Sequence, residues 1–394
     1  MLPPLIGTPV ALYNSWKTPS KYNIFCFLFV YTLFCLYCFP QYDAVQFFFA
    51  AIAGYFYIDH LLVTLSSFFH YFANVDIFLF WGMSYLLMIF LYFSFLYSIR
   101  SSFNKRYLLL ITILSLPIST WMGLYNFTFA AVFALFFLEK INRSLVLLII
   151  FSLASFFFHQ AVSVIVFPSI VLYWLFKRNY KTVSFFYLIS FGISLFLLSH
   201  GGLPFVSSYF SGNEHLTSKM DMYTDRDSIW GGAGLETGIV RAITNTIQYI
   251  IAFSTIHLVF KYYDLLKNHY FTSVSIISIV AMISSIGLYT FTERFNIVIL
   301  LTFTAIFIKV FPFLGNRKKR LRVVIICLTI IFSETLIFFP RSRYNLFYDV
   351  NSAERVAFRS AYIPSFLLIF NFDKFGWSDQ YMMQNAAFNR PSDM

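Results

Sequence analysis

Long apolar stretches recur along almost the whole chain, and short polar or basic loops separate them. About 20 apolar residues cross the hydrocarbon core of a bilayer as a helix, and shorter stretches form short or paired spans. The pattern predicts an all-α, polytopic membrane helix bundle of about 11–12 transmembrane helices. We place them at 23–39, 77–97, 107–120, 122–138, 144–158, 161–176, 182–199, 241–260, 271–290, 295–313 and 323–339, with a shorter candidate at 358–371.

The composition indicates that lipid, rather than water, is the outer solvent. Of the 394 residues, 59% are hydrophobic and 11% are charged, whereas soluble domains carry roughly 25% charged residues. Such a chain lacks the polar side chains to cover a water-facing surface. We therefore predict a single integral membrane domain over residues 1–394. The first apolar run follows Lys17 and Lys21 and has no small-residue cleavage site, so we interpret it as a retained anchor.

Basic residues gather in every second loop. The clusters are Arg100, Lys105 and Arg106; Lys140 and Arg143; Lys177, Arg178 and Lys181; Lys261 and Lys267; and Arg317, Lys318, Lys319, Arg320 and Arg322. By the positive-inside rule these loops and the N-terminus are cytoplasmic. The formal net charge of +11 thus follows from membrane topology, and we expect no nucleic-acid partner.

The alternation also constrains residues 41–76, since the chain must cross the membrane an even number of times between the first two long spans. The apolar stretch 47–72 is then a re-entrant or interfacial amphipathic segment, or a pair of short crossings. We favour one segment lying at the outer interface. Two further outward segments are predicted, a long periplasmic loop at 200–240 and a C-terminal segment and tail at 340–394. The long loop contains aromatic residues and glycines, which favours an ordered binding loop.

Polar side chains at the outer ends of the spans are the candidates for chemistry, because such groups are costly near lipid. The candidates for proton transfer are His159, Asp43, Asp225, Glu236 and Glu293. The arginines that suit a diphosphate are Arg226, Arg241, Arg294 and Arg341, and Trp230 offers a flat face to a sugar ring.

Each candidate also has a structural interpretation. The acids are then solvated loop residues or members of surface ion pairs, and His159 is a capping or packing residue. The arginines then extend to the interface or pair with neighbours such as Glu293. No nucleotide, dinucleotide or zinc motif is present, and the four cysteines lie in apolar runs, so no metal or cofactor is predicted.

In their order along the chain, these features resemble the Wzy-type O-antigen polymerases and the related EpsG-type exopolysaccharide polymerases. Asp43 precedes Phe47 after the first span, and 126–130 (Asn-Phe-Thr-Phe-Ala) is similar to the family's Arg-Phe-x-x-Ala turn. His159 stands in a turn similar to Phe-His-x-Ser, and Glu293-Arg294 is similar to a late Glu-Arg turn.

Two residues depart from the family pattern. Asn126 stands where the family often has Arg, and Ala161 where it often has Ser. The charge absent at 126 is then expected from Arg226 or Arg241.

The resemblance implies a GT-C-like, metal-independent glycosyltransferase in the bacterial inner membrane, with its active face toward the periplasm. Such an enzyme moves the growing glycan from undecaprenyl diphosphate onto a new lipid-linked repeat unit. The implied partners are undecaprenyl-diphosphate-linked oligosaccharide repeat units, membrane lipid, a chain-length regulator and a flippase.

Three alternatives stay open. An O-antigen ligase shares the same scaffold and cationic outer face. A flippase or transporter for lipid-linked oligosaccharide needs charged residues along a central cavity, and Glu334 is the one acid deep in a predicted span. A non-catalytic scaffold protein needs none of the outer arginines.

Overall fold

Helices account for every regular element in the part of the chain that the computed structural model describes, which is residues 3–38, 61–75, 77–100, 103–116, 125–140, 145–178, 192, 239–285 and 289–316. The apolar runs favour this outcome because a helix satisfies its backbone hydrogen bonds internally. The helices are α1 Pro4–Lys17, α2 Lys21–Cys38, α3 Leu61–Ala73, α4 Ile77–Ile99, α5 Lys105–Leu114, α6 Tyr125–Lys140, α7 Leu145–Phe158, α8 Gln160–Arg178, α9 Ile239–Lys261, α10 Tyr263–Leu266, α11 Tyr270–Ser284 and α12 Tyr289–Val310, followed by a 3-10 turn at Phe311–Phe313.

Most predicted segments in these ranges coincide with a helix to within a few residues. The exceptions are α11, which ends at Ser284 rather than 290, and α5, which ends at Leu114 rather than 120. The helix α12 begins at Tyr289 rather than 295, so Glu293 and Arg294 lie within a helix and the prediction that they form a turn between two spans is wrong. The helix α5 stops in a turn at Ser115 and Leu116, just before Pro117, and the residue before a proline disfavours helical backbone angles. The segments 182–199 (apart from Gly192), 323–339 and 358–371, the loop 200–240 and the tail 340–394 lie outside the described residues.

The helix α1 is an element that the sequence analysis did not predict. It packs along α2 after a tight turn. In this turn Ser15 Oγ donates to the carbonyl of Asn23 at 2.7 Å, and the Asn23 side-chain amide donates to the carbonyl of Thr18 at 2.8 Å. Gly7 and Pro9 interrupt the apolar pattern, yet α1 continues through Pro9. Glycine and proline lower the helix propensity of this segment, and packing against α2 stabilises the helix in spite of them.

Contacts between helix termini define one end of the bundle, which we call the basic end. The guanidinium of Arg106 donates to the carbonyl of Lys17 at 3.3 Å, which joins the start of α5 to the end of α1. The Tyr262 hydroxyl donates to the carbonyl of Phe313 at 3.3 Å, which joins the ends of α9 and α12. The ring of Phe103 lies 4.9 Å from that of Phe311. The described basic residues at this end are Lys17, Lys21, Arg100, Lys105, Arg106, Lys140, Lys177, Arg178, Lys261, Lys267 and Lys309.

The opposite end is defined by the start of α6. The Tyr125 ring lies 4.7 Å from that of Trp81 in α4, and the ring of Phe127 lies 5.4 Å from the imidazole of His159 between α7 and α8. The end of α3 reaches the same place, because Phe69 packs 5.7 Å from Phe80. Since α9 and α12 terminate at the basic end, their first turns also lie at the opposite end.

The outward faces of several helices are apolar. On α4 the exposed residues Met83, Leu87 and Phe90 follow one another at helical spacing, and α7, α8 and α9 expose Val146, Ile150, Leu153, Val164, Val171 and Phe253. Two helices, at Leu79–Ile99 and Arg294–Phe313, are long and apolar enough to cross a membrane by length and composition, and five further apolar helices are shorter. Both counts refer to the described residues.

Candidate functional site

The structure describes four of the predicted site residues. His159, Arg241, Glu293 and Arg294 lie in or between helices, whereas Asp43, Asp225, Arg226, Trp230, Glu236 and Arg341 lie outside the described residues. For Arg241 and Glu293 only the place in the helix is described. All four belong to the opposite end of the bundle, although they are up to 135 residues apart along the chain (159 to 294).

His159 forms the joint between α7 and α8. Its backbone N–H donates to the carbonyl of Ser155 at 3.0 Å, and its carbonyl accepts from the N–H of Val162 at 3.0 Å. Its ring caps the following helix, because Nδ1 accepts from the N–H of Ala161 at 3.2 Å. The side chain is 8% exposed. The capping role that the sequence analysis kept as an alternative is therefore present in the structure.

This geometry limits what the His159 ring can do. A neutral imidazole carries one proton, and a nitrogen that accepts a hydrogen bond is the unprotonated one. With Nδ1 accepting from Ala161, the proton lies on Nε2, so that nitrogen is a donor. In this tautomer the ring is less suited to removing a proton from a hydroxyl.

Glu293 and Arg294 occupy the first two turns of α12, which begins at Tyr289. Arg294 is partly buried and its Nε atom is enclosed by the protein. Arg241 lies in the first turn of α9, which packs beside α12. The first turn of a helix carries the positive end of its dipole, so an arginine there adds to a region that already attracts anions.

Buried aromatic side chains pack against one another at this end of the bundle. The ring of Tyr125 stacks on Tyr85 at 3.9 Å and lies 4.7 Å from Trp81, and all three side chains are buried. The Tyr125 hydroxyl donates to Ser84 Oγ at 2.7 Å, and Ser84 donates to the carbonyl of Trp81 at 2.7 Å. The start of α6 is thus fixed to α4 by stacking and by two consecutive hydrogen bonds, from Tyr125 to Ser84 and from Ser84 to Trp81.

A second polar cluster lies at the basic end and was missed by sequence analysis. Glu139, at the end of α6, is 8% exposed and bridges to α11. Its Oε1 lies 2.5 Å from His269 Nδ1, and its Oε2 accepts from the backbone N–H of Tyr270 at 2.9 Å. The signal in the sequence was an acid at the edge of a basic loop. Among the described residues, no group of three or more His, Cys, Asp or Glu forms a metal site.

Comparison with known proteins adds no relative: no family model, curated protein or solved structure matches this chain.

Proposed function

We propose that the chain is a polytopic protein of the bacterial inner membrane, with the basic end of its bundle in the cytoplasm. The apolar outward faces of α4, α7, α8 and α9 support this proposal, because such faces favour lipid. The basic side chains of Lys105, Lys140 and Lys261 share one end of the described helices, as the positive-inside rule requires of a cytoplasmic face.

For the opposite end we propose glycan polymerisation of the Wzy type. The observation that carries the proposal is the grouping of His159, Arg241, Glu293 and Arg294 at the end of the bundle that lacks the basic clusters. Cations and hydrogen-bond donors at that end suit a substrate whose lipid tail lies in the membrane and whose diphosphate lies at the outer surface. The long loop predicted at 200–240 then supplies contacts to the sugars.

The reaction breaks the bond between the anomeric carbon of the growing glycan and the diphosphate oxygen. The hydroxyl oxygen of the incoming repeat unit forms the new bond to that carbon. Undecaprenyl diphosphate leaves with the electron pair of the broken bond, and the hydroxyl proton passes to a base. Because the His159 ring is better placed as a donor, the candidates for this base are Asp43, Asp225, Glu236 and Glu293.

In this proposal Arg241 and Arg294 stabilise the negative charge that develops on the leaving diphosphate. A guanidinium can do so without a metal, since it holds two phosphate oxygens at once. Loss of one such donor typically lowers the rate by about 10²–10³. We therefore expect Arg294→Ala to abolish long polymer while the protein still inserts into the membrane.

The test is complementation of a strain that lacks its own polymerase and makes the matching repeat unit, read as a polysaccharide ladder on a gel. The wild-type chain is expected to convert a single-repeat band into a ladder. A matched control is Arg106→Ala, which removes an arginine from the basic end and should leave the ladder unchanged.

Two outcomes would count against the proposal. If the wild-type chain leaves only the single-repeat band, polymerisation is excluded, and the ligase and flippase alternatives are tested next in strains that lack those steps. If the chain makes a ladder but Arg294→Ala and Arg241→Ala make the same one, the role of these arginines at the diphosphate is wrong.

A further inference from the structure

A buried amide with an unused hydrogen-bonding atom lies at the opposite end of the bundle. Asn126, in the first turn of α6, is 6% exposed. Among the residues that the structure describes, its Oδ1 has no hydrogen-bond partner. Buried polar groups are nearly always satisfied, so an acceptor left alone in a folded protein indicates a partner that comes from elsewhere.

The neighbours of Asn126 show that local packing can satisfy polar groups here. The hydroxyl of Tyr125 donates to Ser84 at 2.7 Å. On the other side, Phe127 packs against the imidazole of His159. The start of α6 is therefore well fixed between α4 and the α7–α8 joint. Because the start of α6 is fixed in this way, the lack of a donor for the Asn126 Oδ1 among the described residues does not result from a frayed helix end.

Two serines provide a comparison. Ser273 and Ser275 of α11 are also buried, and their hydroxyls have no partner among the described residues. A serine inside a helix can rotate its hydroxyl onto the carbonyl four residues earlier, as Ser278 does onto Val274 at 2.7 Å. Asn126 has no such route, because its unused atom is the acceptor Oδ1 and a helix carbonyl has no hydrogen to donate. The serines need no ligand, whereas the amide lacks a partner within its own helix.

We propose that Asn126 binds a hydroxyl group of the saccharide substrate, an inference that rests on the proposed function. An unused acceptor requires a donor, and a sugar hydroxyl is both donor and acceptor, as is an amide group. A diphosphate offers mainly acceptor oxygens, which Oδ1 would repel. Asn126 therefore lies on the sugar side of the site, and Arg241 and Arg294 contact the diphosphate.

The substitution that separates binding from structure is Asn126→Leu, because leucine has nearly the same size and no polar atoms. Replacing an unsatisfied buried amide by an apolar group is neutral or stabilising for the fold. We expect Asn126→Leu to keep or raise the midpoint of thermal unfolding in detergent. In the complementation assay we expect it to lower the amount of long polymer at least about tenfold, because the hydroxyl loses its partner.

The matched control is Ser273→Ala, which removes a buried hydroxyl that has no partner among the described residues. This variant should leave both the stability and the ladder at the wild-type level.

A wild-type ladder from Asn126→Leu would overturn the inference and leave the proposed function intact. Absence of a ladder from the unaltered chain would instead overturn the proposed function, and the inference with it. If Asn126→Leu and Asn126→Ala both fail to accumulate in the membrane, the amide has a structural role and the inference is wrong.

Discussion

At the scale of single residues, Glu139 makes the clearest structural contribution. Its two carboxylate oxygens contact His269 and the backbone N–H of Tyr270, so it caps α11 from the end of α6. Removing it leaves a helix N–H and an imidazole without this acceptor. We predict that Glu139→Ala lowers the free energy of unfolding by about 1–3 kcal/mol, measured by denaturant titration in detergent. Glu139→Gln keeps one acceptor oxygen and should lose less.

The control for this prediction is an exposed ion pair in the same region. Asp264 contacts Lys267 at 2.8 Å, and its side chain is 89% exposed. The hydrogen bond that Lys267 donates to Asp264 raises the pKa of Lys267, and the negative charge of Asp264 raises it further. Exposed pairs of this kind contribute little to stability because solvent screens them. Asp264→Asn should therefore leave the unfolding curve nearly unchanged, and equal losses from both variants would refute the capping role of Glu139.

The two residues His159 and Glu139 show what sequence could and could not predict about polar sites. His159 drew attention because a polar residue between two apolar runs is costly, and its capping role was one of the two interpretations. Glu139 lies beside Lys140 at the edge of a basic loop, and the sequence analysis did not select it. Its partners His269 and Tyr270 are 130 and 131 residues away, and only the packing of α6 against α11 brings them together.

At the scale of elements, α3 has two different faces. Leu62, Val63 and Ser66 are buried, whereas Phe68 and Phe72 are 46% and 72% exposed. A helix that exposes aromatic rings and buries serine suits the interface of a bilayer, as predicted for part of 47–72. The distribution also predicts which substitutions the helix tolerates.

We predict that Ser66→Leu destabilises the protein by about 1–3 kcal/mol, since the larger side chain has no room between α3 and its neighbours. Phe72→Leu, on the exposed face, should change the midpoint of thermal unfolding by far less. Similar losses from the two variants would mean that α3 packs through its aromatic face instead.

Elements were predictable where apolar length alone decides the structure. The helix α4 lies close to its predicted bounds because a long apolar run has few alternatives to a helix, whereas α12 begins at Tyr289, well before the predicted start at 295. The helix α1 was missed because Gly7 and Pro9 reduce helix propensity, and its stability comes from packing along α2. The end of α5 at Leu114 was also misplaced, since the apolar pattern continues past the turn that precedes Pro117.

At the scale of the whole molecule, the two ends differ in the role of their charges. At the basic end, cationic groups rest on aromatic rings, as Arg100 does over Tyr97 at 3.9 Å and Lys140 over Phe136 at 4.2 Å. Such contacts suit side chains that extend along the protein toward an aqueous surface. At the opposite end, Arg241 lies in the first turn of α9 and Arg294 in the second turn of α12, near the positive ends of the helix dipoles. In the proposed function, the first arrangement orients the protein in the membrane and the second attracts the diphosphate.

The proposed orientation leads to a labelling prediction. In a chain with all four cysteines replaced by alanine, Ala73→Cys marks the opposite end and Asn268→Cys marks the basic end, and both positions are exposed. If the basic end faces the cytoplasm, a membrane-impermeant maleimide added to intact spheroplasts should label the cysteine at 73 and leave the one at 268 unlabelled. Permeabilised cells should show equal labelling at both, which controls for reactivity. Labelling at 268 before permeabilisation would invert the orientation and move Arg294 to the cytoplasmic side, where transfer to a periplasmic glycan is impossible.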